Sequence, residues 1–333
     1  MRIIRHPVLC NYYVTYRCNA SCGFCDIWEK PSPYITLEQA KHNFRDLNKL
    51  GVNVIDFTGG EPLLHRELPQ LLQLAKQAGF MTTVTTNTLL YPKQAAKLKG
   101  LVDMLHFSLD SAYEEQHNAS RGVKCFDKLL ESIEVAKSLG ERPDILFTVH
   151  SGNIAEIKEV YERISLPNKL MLILNPIFAY NEVGEQLSAE ALNELEHWGK
   201  QKMVYLNKAF ISLRRDGGNH INQPVCKAGS TTVVISPENK LVLPCYHLGL
   251  EELPIANNLY DLWHSAKVQN QIALEGKHAK CEGCTVNCYF MPSFHVETSK
   301  YMWESIPSTL KYAFEKGSWK HPFRAATQKA SLF

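Results

Sequence analysis

Up to about residue 180, two hydrophobic patterns alternate along the chain. Runs rich in β-branched and aromatic residues predict strands over 8–16, 53–58, 80–86, 101–109, 145–150 and 170–178. Between them, apolar residues at helical spacing predict helices over 36–50, 67–78, 126–139 and 154–164. Thr36 stands where an N-cap belongs, and Gly51, Gly79 and Gly140 follow the last periodic residues of their helices. Such β-α alternation implies a parallel sheet with right-handed crossovers. Six units make an α/β fold, an open, TIM-like partial (β/α)6 barrel, in which functional groups gather at the C-terminal ends of the strands.

After Tyr180 the pattern breaks. A polar helix is expected over 189–206, a hairpin over 231–235 and 240–243, and a helix over 259–274. The chain is therefore divided into a barrel (1–182), a helical linker (183–225), a small cysteine-rich domain (226–290) and a C-terminal extension (291–333). The cysteine-rich part has few apolar periodic segments, so bound metal should supply part of its folding energy. Composition excludes little: 45% hydrophobic and 21% charged residues are ordinary for a soluble domain, and a net charge of +2 makes no electrostatic case for nucleic acid. No apolar run is long enough to span a bilayer, and the N-terminus lacks the features of a signal peptide, so a cytoplasmic location is expected. The extension carries Trp303, Phe314, Trp319, Phe323 and Phe333 among several lysines. A helix and tail packed on the barrel is the plain expectation, and a peripheral membrane or partner contact the sharper one.

Cysteine usage changes the picture. The chain has ten cysteines, and in a reducing compartment clustered cysteines bind metal more often than they form disulfides. Cys10 and Cys125 stand apart and are expected to be inert core thiols. Cys18, Cys22 and Cys25 form a C-x3-C-x2-C motif just past the first strand, at the expected functional end of the barrel. Three thiolates leave a tetrahedral zinc one ligand short, whereas they can hold three irons of a cubane and leave the fourth open. An open iron is what binding of a chelating cofactor requires. At a cysteine frequency of about 3%, this spacing arises by accident in roughly 1% of such chains.

The motif, with Phe24 before its third cysteine, resembles the signature of the radical S-adenosylmethionine (SAM) superfamily. The resemblance implies a [4Fe–4S] cluster on Cys18, Cys22 and Cys25 whose open iron binds SAM through its amino and carboxylate groups. An electron from a protein reductant such as flavodoxin or ferredoxin then yields methionine and a 5′-deoxyadenosyl radical, which takes hydrogen from a substrate. Gly59-Gly60-Glu61, ending the second strand, looks like the family's GGE segment. Its glycines let backbone approach a ligand closely, and Glu61 would accept hydrogen bonds from the ammonium group of SAM. Ser108 and Asp110 share one side of the fourth strand by its two-residue period, and resemble the segment that contacts the SAM ribose. Arg121 matches an arginine found near the SAM carboxylate, and Thr86 and Asn87, ending the third strand, are placed to line the site. Asn153 and Asn175 can approach the nucleoside or serve as caps and turns. Asn11, Tyr13 and Thr15 share one face of the first strand, as substrate-cavity groups or as ordinary buried hydrogen-bonding groups.

Farther on, Cys226-Lys-Ala-Gly229, Pro244-Cys245, the segment 257–263 and Cys281-x2-Cys284 resemble a SPASM or twitch domain, the auxiliary-cluster appendage of many radical SAM enzymes. A full SPASM domain carries more cysteines and two clusters. The resemblance here implies one auxiliary [4Fe–4S] cluster on Cys226, Cys245, Cys281 and Cys284, with Cys288 as an alternative or spare ligand. Structural zinc is the competing reading, because C-x2-C pairs serve zinc equally well. Asn239 takes the hairpin-turn position where relatives often have glycine, and asparagine tolerates the left-handed conformation needed there.

The expected function is therefore that of an oxidoreductase or maturase that abstracts hydrogen from a small molecule, peptide or protein in a biosynthetic or maturation reaction. The first strand begins within ten residues of Met1, which leaves no room before it for a leader-peptide-binding domain. The expectation shifts toward a small molecule, a protein side chain, or a leader held by a separate protein. The alternative is a non-catalytic iron–sulfur or zinc-binding module, which predicts no open iron. Cys18, Cys22, Cys25 and Glu61 together argue against it.

Overall fold

Strands and helices alternate through the first half of the chain: β1 (Leu9–Thr15), α1 (Leu37–Leu50), β2 (Val54–Gly59), α2 (Leu68–Gln77), β3 (Met81–Thr86), α3 (Tyr91–Leu98), β4 (Met104–Ser108), α4 (Glu114–Arg121), α5 (Phe126–Ser138), β5 (Asp144–Val149), α6 (Ile157–Val160), α7 (Leu166–Asn168) and β6 (Leu172–Pro176). There follow β7 (Ala179–Tyr180), β8 (Val183–Gly184), α8 (Ala189–Gly199), β9 (Val204–Tyr205), α9 (Lys208–Arg215), α10 (Ala228–Thr231), β10 (Thr232–Ile235), β11 (Lys240–Leu243), β12 (Glu251–Pro254), α11 (Leu259–His264), α12 (Ala266–Ala273), α13 (Asn287–Ser293) and α14 (Lys300–Lys316). This computed structural model describes residues 3–4, 6–180 and 183–317. Trp319, Phe323 and Phe333 lie outside the described residues.

One ten-stranded sheet runs in the order β12-β11-β10-β1-β2-β3-β4-β5-β6-β9. β1 to β6 are parallel, and β9 and β10 extend that parallel run at its two ends. The fold is thus the expected α/β partial barrel. The hairpin β10–β11 of the cysteine-rich segment is built into the barrel's own sheet, with Leu9 opposite Thr232 and Tyr12 opposite Ile235.

Strand periodicity sorts the side chains. Cys10, Tyr12 and Val14 of β1, Ile55 and Phe57 of β2, Val84 of β3, and Leu105 and Phe107 of β4 join the core beneath the helices. Each fully buried large side chain contributes about 1.5–3 kcal/mol. Alternate residues face the barrel interior, and on four successive strands they include Asn11, Asp56, Thr83 and Ser108. The interior is therefore polar. α1 is fixed at both ends by its own sequence. The Thr36 hydroxyl accepts the Gln39 N–H while the Gln39 side chain accepts the Thr36 N–H, and Gly51 closes the helix at φ +87°. Its inner stripe, Ala40, Phe44 and Leu47, is buried, with Phe44 against Tyr12 and Phe57 at ring separations of 5.4 and 6.1 Å.

Three predicted helices are cut differently. The one over 154–164 begins as a 3-10 turn, becomes α6, widens to a π turn at Tyr161–Ser165 and ends in α7. Pro167 has no N–H to donate, so the helix changes register before it. The helix expected over 189–206 stops at Gly199, and β9 follows. The helix expected over 259–274 is broken at Ser265, which takes an extended conformation and caps α12 through the Val268 N–H. In the hairpin Asn239 does adopt the left-handed conformation, at φ +58°. α14 lies across the N-terminal mouth of the barrel: Tyr312 donates to Asp144 at 2.6 Å, Lys316 pairs with the same carboxylate, and Lys311 donates to the Gly199, Gln201 and Val204 carbonyls. Trp303 and Phe314 on this helix face solvent. Among the described residues no helix is long and apolar enough to cross a membrane.

Candidate active site

The C-terminal ends of the strands surround a cavity that is open to solvent on one side. Its walls include Cys18, Cys22, Phe24 and Cys25 from the loop after β1, Gly59 at the end of β2 with Gly60 and Glu61 after it, Thr86 at the end of β3 with Asn87 after it, Ser108 from β4, and Arg121 from α4. Of the residues expected at this site, Asp110, Asn153 and Asn175 are off the wall. β4 ends at Ser108, so strand alternation does not carry on to Asp110. Asp110 is buried behind Arg121, which it holds through two contacts of 2.7 Å, and it accepts the Ser120 hydroxyl at 2.8 Å. The guanidinium so fixed donates to the Cys22 sulfur at 3.8 Å and lies 5.6 Å from the centre of the Phe24 ring.

Backbone contacts hold the cysteine loop in place. The Ser21 N–H donates to the Arg121 carbonyl and the Gly23 N–H to Ser120. Gly122 caps α4 at φ +63°, where a Cβ would stand 2.3 Å from the Ser21 hydroxyl oxygen. Gly59 and Gly60 have a physical reason besides the one expected. A Cβ on Gly59 would meet the Thr15 carbonyl oxygen at 1.9 Å, and one on Gly60 the Arg17 carbonyl oxygen at 2.3 Å. These glycines let the chain leaving β1 cross the end of β2, where the strand pairing shifts register.

Glu61 is almost fully buried and accepts three hydrogen bonds, from the Leu63 N–H at 3.0 Å, the Thr86 hydroxyl at 2.8 Å and the Asn87 N–H at 2.8 Å. Burial nevertheless raises its carboxyl to about 7, and the hydrogen bonds only partly offset this. A carboxylate has about four acceptor positions, so one is left for the cavity. The Asn87 amide donates to Asn19 at 2.7 Å and lies 3.9 Å from the Cys18 sulfur. Burial pushes the Cys18 thiol up to about 11. Asn153 braces the loop after β5 instead, donating to the Thr148 and Asp110 carbonyls. Cys10 and Cys125 are both buried, the latter 3.3 Å from the His117 ring.

A second, narrow cavity is lined by Cys226, Cys245, Cys281 and Cys284 together with Tyr180, His247 and Tyr289. Cys288 is not on its wall and is exposed. Burial lifts the Cys245 thiol to about 12 and the Cys284 thiol to about 11. Metal ligation works the other way, because it draws thiolates. Among the described residues no three Cys, His, Asp or Glu side chains converge on one point as ligands of a single ion would. Asn219, which no local pattern marks, gathers the cysteine segments. Fully buried, it donates to the Gly276 and Cys281 carbonyls at 2.8 and 3.2 Å and accepts the Cys226 N–H at 3.1 Å. Asn287 donates to the Asn175 side chain at 2.8 Å, tying this region to β6. Between the cavities the Tyr13 and Tyr246 rings stack at 4.6 Å, and Lys30 donates to the Tyr246 hydroxyl at 2.7 Å.

A thiol-lined cavity at the C-terminal mouth of a parallel barrel defines an enzyme class that comparison with known proteins also finds. The sequence profile of the radical SAM superfamily matches residues 12–164. A probable GTP 3′,8-cyclase of Saccharolobus solfataricus is 34% identical over 250 residues, covering 68% of this chain and 79% of the relative. An AdoMet-dependent heme synthase of Methanosarcina barkeri is 24% identical, over 89% of this chain and 96% of the relative. Among solved structures, SuiB of Streptococcus suis bound to S-adenosylmethionine superposes with a TM-score of 0.64 at 18% identity, over 81% of this chain and 68% of that one, which is a likeness of fold. The chain belongs to the radical SAM superfamily, and is thereby an enzyme of the class that uses SAM and a [4Fe–4S] cluster.

Proposed function

We propose that this enzyme binds its cluster on Cys18, Cys22 and Cys25, holds SAM in the adjoining cavity, and abstracts hydrogen from a small molecule in a biosynthetic reaction, with an auxiliary [4Fe–4S] cluster on Cys226, Cys245, Cys281 and Cys284. The observation that carries the reading is the presence of three thiols, Glu61, Ser108 and Arg121 on the walls of one cavity. That donor set fits the group: three sulfur ligands, a carboxylate acceptor for an ammonium, and a fixed cation for a carboxylate. The bound cofactors supply a carbon-centred radical that removes a hydrogen atom from substrate. The protein's part is placement. Glu61 offers its remaining acceptor position to the SAM ammonium. Arg121, aimed by Asp110, faces the carboxylate, and Ser108 is left for the ribose. Phe24, Ile27 and Trp28 on the same wall keep water from the reacting groups. The polar interior below, with Asn11, Tyr13, Asp56 and Thr83, suits a polar small substrate, as do the relatives named for heme and GTP chemistry. Electrons come from a protein reductant.

Iron analysis tests the reading. Anaerobically reconstituted protein should hold about eight irons in two cubanes, and replacing Cys18, Cys22 and Cys25 together by Ala should leave about four. Cys281→Ala, checked for folding by circular dichroism, should still release 5′-deoxyadenosine with dithionite, because SAM cleavage needs only the first site. Stoichiometric zinc with almost no iron in the wild type defeats the two-cluster reading.

A further inference from the structure

Among the described residues two arginines are buried, and they are balanced differently. Arg121 has its charge matched by Asp110. Arg214, on α9, is only 7% exposed, yet its guanidinium donates solely to neutral acceptors: the carbonyls of Phe210, Pro176, Ile177 and Thr285 at 3.0–3.4 Å, and the Asn287 side chain at 3.1 Å. Among the described residues no carboxylate pairs with it. A guanidinium keeps its charge in proteins, and a buried charge without a counter-charge is strongly unfavourable. The hydrogen bonds satisfy its donors but leave the net charge uncancelled.

The placement says what cancels it. Thr285, whose carbonyl it binds, directly follows Cys284, and Cys226 and Cys284 pack against the apolar cluster that includes Ala209, Phe210 and Leu213 of the helix carrying Arg214. Cys284 lines the second thiol cavity. Lys280, the other cation at that cavity, is exposed to solvent, which screens it. Arg214 is thus a buried cation held against the residue next to Cys284, one of four thiols on that cavity wall that become anionic on taking up metal.

We propose that Arg214 is the counter-charge of the metal–thiolate cluster held by Cys226, Cys245, Cys281 and Cys284, and that it raises the reduction potential of that cluster. The inference rests on the auxiliary-cluster reading above. A cubane with four thiolates is a net anion, and reduction adds one further negative charge. A fixed cation in a low-dielectric setting stabilises the reduced state more than the oxidised one, so the potential moves up. Arg214 acts through the cluster, as a positioning and tuning residue, and touches no substrate.

The test is an EPR-monitored redox titration of the reconstituted holoenzyme, with the first cluster's transition as internal reference. Arg214→Gln should move the auxiliary transition to more negative potential and leave the first one in place. Arg214→Lys, which keeps the charge while changing the hydrogen bonds, should stay near the wild-type value. An unchanged potential in Arg214→Gln, or equal shifts in both variants, overturns the inference. If Arg214→Gln does not fold, Arg214→Lys decides alone: a retained potential supports the charge role, and a shifted one overturns it. A wild-type protein with about four irons and a single transition would instead defeat the auxiliary-cluster reading, a separable result.

Discussion

Asn219→Ala should release the second thiol site while sparing the first. The side chain makes three hydrogen bonds in a fully buried position, two given to the Gly276 and Cys281 carbonyls and one taken from the Cys226 N–H. Each buried hydrogen bond is worth about 1–1.5 kcal/mol, and truncation leaves its partners without replacements. The expected loss is therefore about 3–4 kcal/mol, a large fraction of a domain's total stability. Two of the bonds fall on segments that carry Cys226 and Cys281, so the loss should be read as metal as well as stability. Urea unfolding of the reconstituted protein and iron per chain are the assays. The variant should retain about four irons, those of the first site. Asn219→Asp keeps the acceptor for Cys226 but sets a carboxylate against two carbonyl oxygens, and should be at least as damaging at neutral pH. A stability loss below about 1 kcal/mol with both clusters loaded would refute the claim that Asn219 organises this site.

Glu61 predicts a pH effect in the metal-free protein. Its carboxyl is raised from 4.5 to about 7, so between those values the folded chain holds a proton that the unfolded chain has lost. Its contribution to stability is full below about 4.5 and is lost as pH rises through about 7. Wild-type stability should therefore fall more steeply than that of Glu61→Gln between pH 5 and 7.5; an equal or opposite slope in urea midpoints speaks against a buried, proton-holding Glu61. Gly122→Ala should lose at least about 1–2 kcal/mol from the left-handed conformation alone. Because the new Cβ would also press on the Ser21 hydroxyl oxygen at 2.3 Å, it should reduce iron at the first site, and normal loading with an unchanged thermal midpoint would contradict the packing described.

The barrel was legible because its signals are local. Thr36 and Gly51 mark both ends of α1 in the sequence itself, and the strands alternate or run apolar over enough residues to stand out. The cysteine spacings likewise announced both thiol sites, and four of the five later cysteines share one cavity wall. Long-range contacts left weaker traces. α4 buries only His117 and Arg121, so no apolar stripe marked it as a helix, yet it supplies the arginine of the first site. Asp110 looked like a cavity residue by strand periodicity and serves Arg121 instead, because the strand ends two residues earlier. The Gly59-Gly60 pair lies on the cavity wall, and the chain crossing from Thr15 to Arg17 that also demands glycine there is something no linear pattern reveals. Asn219 and Arg214 were missed for the same reason: their partners lie tens of residues away, and a single polar residue in a loop or short helix resembles any solvated one.

The parallel pairing of β1 with β10 bears on how the chain comes to be folded. Leu9 must wait for Thr232, about 220 residues later in synthesis, before its second edge is satisfied. Until then one side of the first strand made is an open template for pairing with other chains. Contacts of such sequence separation are slow to form, and nascent or truncated barrels that carry them are exposed to aggregation. The practical corollary concerns expression and dissection. A fragment ending near residue 182 should be a poor surrogate for the SAM-binding half, and grafting the cysteine-rich segment onto another barrel would require donating a strand as well as ligands.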